Sequence, residues 1–337
     1  MNQIKRAIAI LVSCLLVVTV LSGCHKTIPY DSAPDSAYQY VVDEENDTVA
    51  ITSFSGSYSK SNIPEMLKGK EVTSISSGAF KNCTQLDTVN LPKSIKTIAA
   101  NAFEGCTNIE NLSLPYGIET IENGAFSGCT ALKTVTFPGT IKRIGDKAFY
   151  GCAALENIAF PSNSVDIGAD AFSNTAWIQS QGDEYLVVCN TLIRYSGSEK
   201  EIEIPEGVEI VSTAFAGRTD ITSVLIPKSA KTITRNAFQG CTGITAIEIG
   251  SKVESIGDFA FTGCSSLVSV TVPDSVKSLG TYAFSNCTAL ERIILGKGIK
   301  NVPAYAFQAC TSLKEVSIPK DATIAENAFE GSSYQPS

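Results

Sequence analysis

Eight cysteines stand at a spacing that invites a chemical reading: Cys83, Cys106, Cys129 and Cys152, then Cys241, Cys264, Cys287 and Cys310, with 23 residues between neighbours in each set. Thiols act as nucleophiles, as metal ligands or as disulfides. Zinc sites draw on Cys and His clustered at short intervals, and a step of 23 supplies none. A nucleophilic Cys or Ser needs a base held beside it. The sequence has a single His, His25, near the N-terminus and far from every repeated Cys. The acidic residues are scattered, and no pair is singled out for acid–base work. No phosphate-cradling Gly-rich motif opens a long helix. These residues point away from catalysis, metal and cofactor alike. A carboxylate-based enzyme stays only as a remote alternative.

The cysteines belong to a larger period. Ala-Phe pairs end at Phe80, Phe103, Phe126, Phe149 and Phe172, and again at Phe215, Phe238, Phe261, Phe284 and Phe307, every 23 residues within each set; Phe329 follows. A fixed period of this length is the mark of a solenoid. Two residues after Phe comes Gly or Asn in all coils except at Ala309, which predicts a left-handed turn. Six after Phe comes Leu or Ile, which opens a strand such as Leu86-Asp87-Thr88-Val89-Asn90-Leu91, usually closed by Pro. A second apolar pair follows, such as Ile95 with Ile98, and then the bend returns.

One coil cannot bury its apolar face alone, whereas stacked coils can. With neighbouring strands ~4.8 Å apart, eleven coils make a rod or arc of roughly 50 Å. The Phe residues are expected to stack as one continuous spine. The cysteines are expected to be buried, reduced thiols, since side chains stacked in parallel do not face one another.

This pattern of Leu, two residues, Ile/Val, one residue, Leu/Ile-Pro, then Ala-Phe and Cys resembles the BspA-like, or treponemal-type, leucine-rich repeats of bacterial surface proteins, over about residues 38–333. The resemblance implies a leucine-rich-repeat solenoid of the α/β horseshoe class, dominated by β structure and right-handed. It implies about eleven 23-residue coils, a parallel β-sheet on the concave face and short helical turns at the Ala-Phe bends. It also implies a cell-surface binding or adhesion role.

The ends of the chain read as an address and a cap. Lys5 and Arg6 precede a 14-residue apolar run, Ala7 to Val20, and then Leu21-Ser22-Gly23-Cys24. This is similar to a lipoprotein signal peptide, residues 1–23, with Cys24 as the lipidated residue. A tether continues from Cys24 to residue 37. Lipid is then the link to the membrane, and the protein sits on the outer face of a bacterial membrane. An N-terminal β cap is expected over 38–62, with Tyr38 to Val42 and Val49 to Phe54 as strands, the solenoid over 63–333, and a polar tail over 334–337. The chain carries 26 basic and 34 acidic residues, a net of −8. Removing Lys5 and Arg6 with the signal leaves 24 against 34, a net of −10. That balance, without a basic cluster, disfavours nucleic acid.

A 43-residue gap between Phe172 and Phe215 holds an insertion, 179–201, with Ile178 read as a strand opener just before it. Tyr185 to Val188 and Thr191 to Tyr195 flank Cys189-Asn190 as a hairpin. Insertions in solenoids often mark a functional face, and a neutral fold-back loop is the other reading. Outward-facing strand positions carry no aromatic residue, which argues against a protein hot spot and against stacking on sugars in that sheet. The second set of coils is the more apolar. The expected binding surface is therefore the concave face of residues 222–294, through Leu225, Glu248, Val268, Thr271, Arg292 and Ile294, with Trp177, Tyr185 and Tyr195 beside it. The ligand would be an extracellular protein or glycan; a scaffold or spacer subunit of a surface complex is the alternative role.

Overall fold

A computed structural model of the chain describes residues 33–334; the signal segment, Cys24, His25 and the last three residues of the tail lie outside the described residues. The described chain is a β-solenoid of about 12 turns of roughly 23 residues, built mostly of short strands in parallel sheets, with few helices. Each coil lays down two strands. Three-residue strands follow the inward Leu or Ile, as at Thr88–Asn90, Asn111–Ser113, Thr134–Thr136 and Asn157–Ala159. They pair in parallel with their counterparts one period away, Thr134 opposite both Asn111 and Asn157. Two-residue strands follow the Pro turn, as at Thr97–Ile98, Thr120–Ile121, Arg143–Ile144 and Asp166–Ile167, and form a second parallel ladder. Alternation explains the burial: Val89, Leu112 and Val135 point inward between exposed or half-exposed neighbours.

The bends form a third ladder, and they are not helices. Each is a run of tight turns closed by bonds of the kind Cys106 N–H to Phe103 O, and only Thr213–Phe215 is a 3-10 turn. Their free N–H groups reach the next coil. Asn101 donates to Asn123 O, Phe103 to Ala125 O and Gly105 to Ser127 O, at 2.7–2.9 Å. Alternate residues thus pair across coils while those between them turn, which requires positive φ on both sides of the Phe. The residue two after Phe has it throughout, Ala309 included at φ 55°. The residue two before Phe has it as well in most coils, from Gly78 (66°) to Tyr305 (59°), though not at Thr213 or Asn327, and the spacing of the strands does not reveal that column.

The bend also explains the cysteines. The thiol of Cys106 donates to Phe80 O, Cys129 to Phe103 O and Cys152 to Phe126 O, at 3.0–3.2 Å. Cys241, Cys264, Cys287 and Cys310 do the same toward Phe215, Phe238, Phe261 and Phe284. Each buried thiol thus bonds the backbone of the preceding coil, and a small weak donor fits that space.

The expected single spine is two spines. In the first, Phe54, Phe80, Phe103, Phe126, Phe149 and Phe172 stack with centroids 4.7–5.5 Å apart. Trp177 packs 5.5 Å from both Phe172 and Phe160 and ends that stack. The second begins with Tyr185 on Tyr195 at 4.8 Å and Tyr195 on Phe215 at 5.3 Å. It runs to Phe329, on which Tyr334 packs at 5.0 Å. The buried residues divide accordingly into one apolar cluster reaching Phe172 and another starting at Leu192. The insertion causes the break. Ile178, expected to open a strand, lies instead in the five-residue helix Ala176–Ser180, capped by Thr175, whose side chain accepts from Ile178 N–H at 3.1 Å. Thr is a favourable N-cap, and it ends the repeat pattern there.

The hairpin follows, Tyr185–Val188 against Thr191–Tyr195, with Cys189 (φ 49°) and Asn190 (φ 59°) in the turn. Two successive left-handed residues match the strand twist. Its second strand pairs with Ile210–Val211 and so starts the second block of two-residue strands. Across the seam, side chains supply the bonding: Thr191 Oγ1 donates to Val165 O at 2.6 Å and Ser212 Oγ to Ile167 O at 2.9 Å.

Candidate functional site

The strand face of the second block holds a shallow groove of about 870 Å³. It crosses Glu201–Glu203, Ser223–Leu225, Ala246–Glu248 and Ser269–Thr271. Leu225 is opposite Glu248 in the ladder and opposite Glu203 on its other side. The groove therefore has Leu225, 36 % exposed, on its floor between two carboxylates. Among the residues expected to bind, Leu225, Glu248 and Thr271 come together here. Val268, 46 % exposed, lies just before Ser269–Thr271 and does not line the groove. Ile294 pairs with Thr271 and lines a neighbouring depression of about 710 Å³ with Pro273, Lys297 and Pro319. Arg292 is engaged with Glu315 at 3.4 Å.

The three aromatic residues placed beside this surface serve packing. Trp177 is half-buried against Phe160 and Phe172, and Tyr195 is buried on Phe215. Tyr185 is half-buried; burial pushes its phenol up to about 12, with Tyr195, Glu184 and Glu203 adding to the effect. The hairpin itself is fastened by Arg194, which donates to Ile178 O at 2.6 Å and Gln181 O at 2.7 Å. These contacts border a cavity of about 350 Å³ at the seam, lined by Phe172, Ile193 and Ala214 among others.

The outer face of the two-residue strands is occupied by charge pairs one coil apart. Lys142 meets Glu119 at 2.5 Å, Lys231 meets Glu209 at 2.9 Å and Lys277 meets Glu254 at 2.7 Å. The hydrogen bond from each lysine holds its carboxylate below the usual range; Glu209 is helped by Ser164. All but Glu209, which is half-buried, are largely solvated, and such pairs add little stability singly. Among the described residues, no group of three or more His, Cys, Asp or Glu is arranged to hold a metal.

The bend face holds what reading the strands missed. The left-handed position two before Phe carries Gly78, Asn101, Gly124, Asp170 and Asn236, which tolerate positive φ well, and also Lys147. In three successive coils it carries Phe259 (56°), Tyr282 (60°) and Tyr305 (59°). A bulky residue there is a conformational outlier, costing on the order of 1–3 kcal/mol each. The rings are half-exposed and stack on one another, Phe259 on Tyr282 at 4.9 Å and Tyr282 on Tyr305 at 4.7 Å, within 9° of parallel. Stacking returns roughly 0.5–1.5 kcal/mol per pair, less than the strain it accompanies. Arg235 covers the far side of Phe259 at 5.4 Å. The signal was present in the sequence, as an aromatic immediately before Ala260-Phe261, Ala283-Phe284 and Ala306-Phe307. Upstream on the same face runs a polar trough of about 770 Å³ from Asn101 to Gln239, past Glu104, Asp146, Lys147 and Asn236.

Comparison with known proteins agrees with the repeat geometry. The profile of the BspA type leucine rich repeat region matches in six copies over residues 52–179 and 195–335, leaving out most of the hairpin. No curated protein matches the sequence. Among solved structures, the chain is similar to a leucine rich cell surface protein from Faecalibacterium prausnitzii A2-165, with 24% identity, 90% of this chain and 98% of that chain covered and a TM-score of 0.42. It is similar to the leucine rich repeat protein of T. pallidum, with 23% identity, 77% and 91% covered and a TM-score of 0.43. A leucine-rich repeat protein from Bacteroides ovatus ATCC 8483 shows 26% identity, 90% and 92% covered and a TM-score of 0.38. With the repeat profile matching most of its length, the chain belongs to the BspA type leucine rich repeat family.

Proposed function

We propose that this protein is a non-enzymatic binding protein of the bacterial cell surface, lipid-anchored through Cys24, whose solenoid adheres to an extracellular protein or glycan. The observation that carries the binding role is the groove on the strand face, where Leu225 is left exposed between Glu203 and Glu248 in coils whose other outward positions are mostly small and polar. An apolar side chain held on a rigid sheet, ringed by hydrogen-bonding groups, suits recognition. The anchor rests on the basic start, the apolar run from Ala7 to Val20 and the Leu21-Ser22-Gly23-Cys24 sequence. Among the described residues no helix is long and apolar enough to cross a membrane.

The test is to screen the chain from residue 25 onward against arrays of host proteins and glycans, together with two paired variants. Leu225→Lys with Ile294→Lys is expected to abolish the captured interaction. Lys142→Glu with Lys277→Glu, on the other strand face, is expected to leave it intact. Loss through the second pair alone, with both variants folded, would place recognition elsewhere. Isolation only within a stable complex of its own cell's proteins would favour a scaffold role instead. For the anchor, Cys24→Ala is expected to abolish incorporation of labelled palmitate, and retained label would refute it.

A further inference from the structure

We infer that the bend face of the last coils is a second binding site, for an uncharged polysaccharide, and that Phe259, Tyr282 and Tyr305 form its contact strip. The site lies on the bends, whereas the groove lies on the three-residue strands, so it stands independently of the reading above. Three features carry the inference. The first is that the sequence places three successive aromatics where the backbone favours Gly or Asn, and where the same column elsewhere holds Asn101 and Asn236. The stack they form is half-exposed. Backbone strain kept in three consecutive coils to present aromatic surface is the kind of outlier found at ligand-binding positions.

The second feature is geometry. With centroids 4.7–4.9 Å apart and planes within 9° of parallel, the rings are displaced sideways as well as stacked, since carbon atoms meet at about 3.5–4.0 Å. Each ring therefore leaves its outer edge and part of a face uncovered. The strip repeats once per coil, so a chain of like units meets a ladder of like contacts. Beside it stand two half-exposed neutral polar side chains, Thr262 and Gln308, with Ser285 buried between them; Thr262 Oγ1 donates to Tyr282 O at 2.6 Å and Ser285 Oγ is 3.3 Å from Gln308 Oε1.

The third feature is charge. Residues 259–265, 281–288 and 304–311, which make these three bends, contain no charged side chain. The nearby Asp258 carboxylate is used internally, accepting from Thr281 N–H at 2.8 Å. Arg235 is laid on Phe259. A net charge of −8 disfavours a polyanion or an anionic lipid headgroup, and the three bends themselves supply no charged partner to a charged peptide. These bends do offer ring surface to the C–H faces of sugars and, at half-exposed Thr262 and Gln308, a hydroxyl and an amide to their oxygens. A neutral glycan chain fits that combination.

The experiment uses the full chain, solubilised in a detergent without a sugar head group, and measures retention on insoluble cellulose, starch and xylan, with immobilised heparin and polygalacturonate as charged controls. Retention is expected on at least one neutral polymer and on neither charged one. The variant F259N/Y282N/Y305N places in each coil a residue suited to left-handed φ, so it is expected to fold with an unchanged circular dichroism spectrum. Its retention is expected to fall about tenfold or more. Y282N alone should fall in the same direction and decides the matter if the triple variant misfolds. Leu225→Lys should retain wild-type binding to the polymer, which separates this site from the groove. The proposal is overturned if none of the three neutral polymers retains the chain, if the asparagine variants bind unchanged, if the charged polymers bind equally, or if the variants change the oligomeric state on a sizing column, which would mark the strip as a contact between copies.

Discussion

The ring of Tyr195 stands 5.3 Å from that of Phe215, at 41° between planes, and so a residue of the hairpin begins the second aromatic stack. On the other side of the seam Trp177 ends the first stack on Phe172. The hairpin is therefore a structural joint: it closes one core, opens another and is bonded across by the hydroxyls of Thr191 and Ser212.

The two cores should respond separately to damage. Phe149, fully buried between Phe126 and Phe172, and Phe261, fully buried between Phe238 and Phe284, are equivalent by position. Truncation to Ala is expected to cost ~3–5 kcal/mol at either site. Because coils couple chiefly to their neighbours, hydrogen exchange should accelerate most in residues 80–172 for Phe149→Ala and in residues 215–329 for Phe261→Ala. Tyr195→Ala should act on the second block. Uniform loss of protection along the whole chain in all three variants would contradict two cores.

The seven thiols bonded to Phe carbonyls should be reduced and slow to alkylate in the native state, whereas half-buried Cys83 and Cys189 should label first. Burial pushes the Cys189 and Cys241 thiols up to about 11 and Cys310 up to about 12. A folded-state value raised above the unfolded one means that the native state keeps protons the unfolded chain releases. Stability is then fully present below the unfolded value of about 8.5 and declines as pH rises toward these folded values. Denaturation midpoints measured from pH 7 to 11 should fall above pH 8.5, and less steeply after Cys241→Ala. Mass mapping of disulfides between coils without reductant would reverse the assignment.

Ala309 occupies the left-handed turn that Gly or Asn fills in the other coils, at φ 55°. Ala309→Gly should therefore stabilise the chain by roughly 1 kcal/mol, the reverse of the usual effect of adding glycine. A lowered thermal midpoint would mean that the methyl packing outweighs the backbone strain.

Glu119 is held below the usual carboxylate range by its hydrogen bond from Lys142. A depressed value stabilises the folded state above the unfolded value, an effect lost as pH falls through the folded one. Carboxylate NMR titration should show Glu119 shifting upward in Lys142→Met, while Glu254, paired with Lys277, stays put. Equal movement of both would argue for a general field in place of pairs one coil apart.

The sequence by itself determined the coil. Its 23-residue period, the alternation around Val89 and the Gly or Asn two residues after every repeat Phe but Phe307 are local in cause, since each follows from strand alternation or from a φ that few residues tolerate. The hairpin was legible for the same reason, through Cys189-Asn190 between two β-rich runs. Other features depend on what lies beside each residue once the coils are stacked, and only the tertiary structure decided those. That Phe172 does not continue to Phe215 follows from where the helix Ala176–Ser180 sends the chain. That Cys106 bonds Phe80 O depends on the approach of two backbones 26 residues apart. The groove at Leu225 and the stacking of Phe259, Tyr282 and Tyr305 likewise exist only between coils. A single repeat fixes its own dihedral angles and inward face, while a surface that recognises something else is made from side chains a full period apart, and only the stacking of the coils sets its shape.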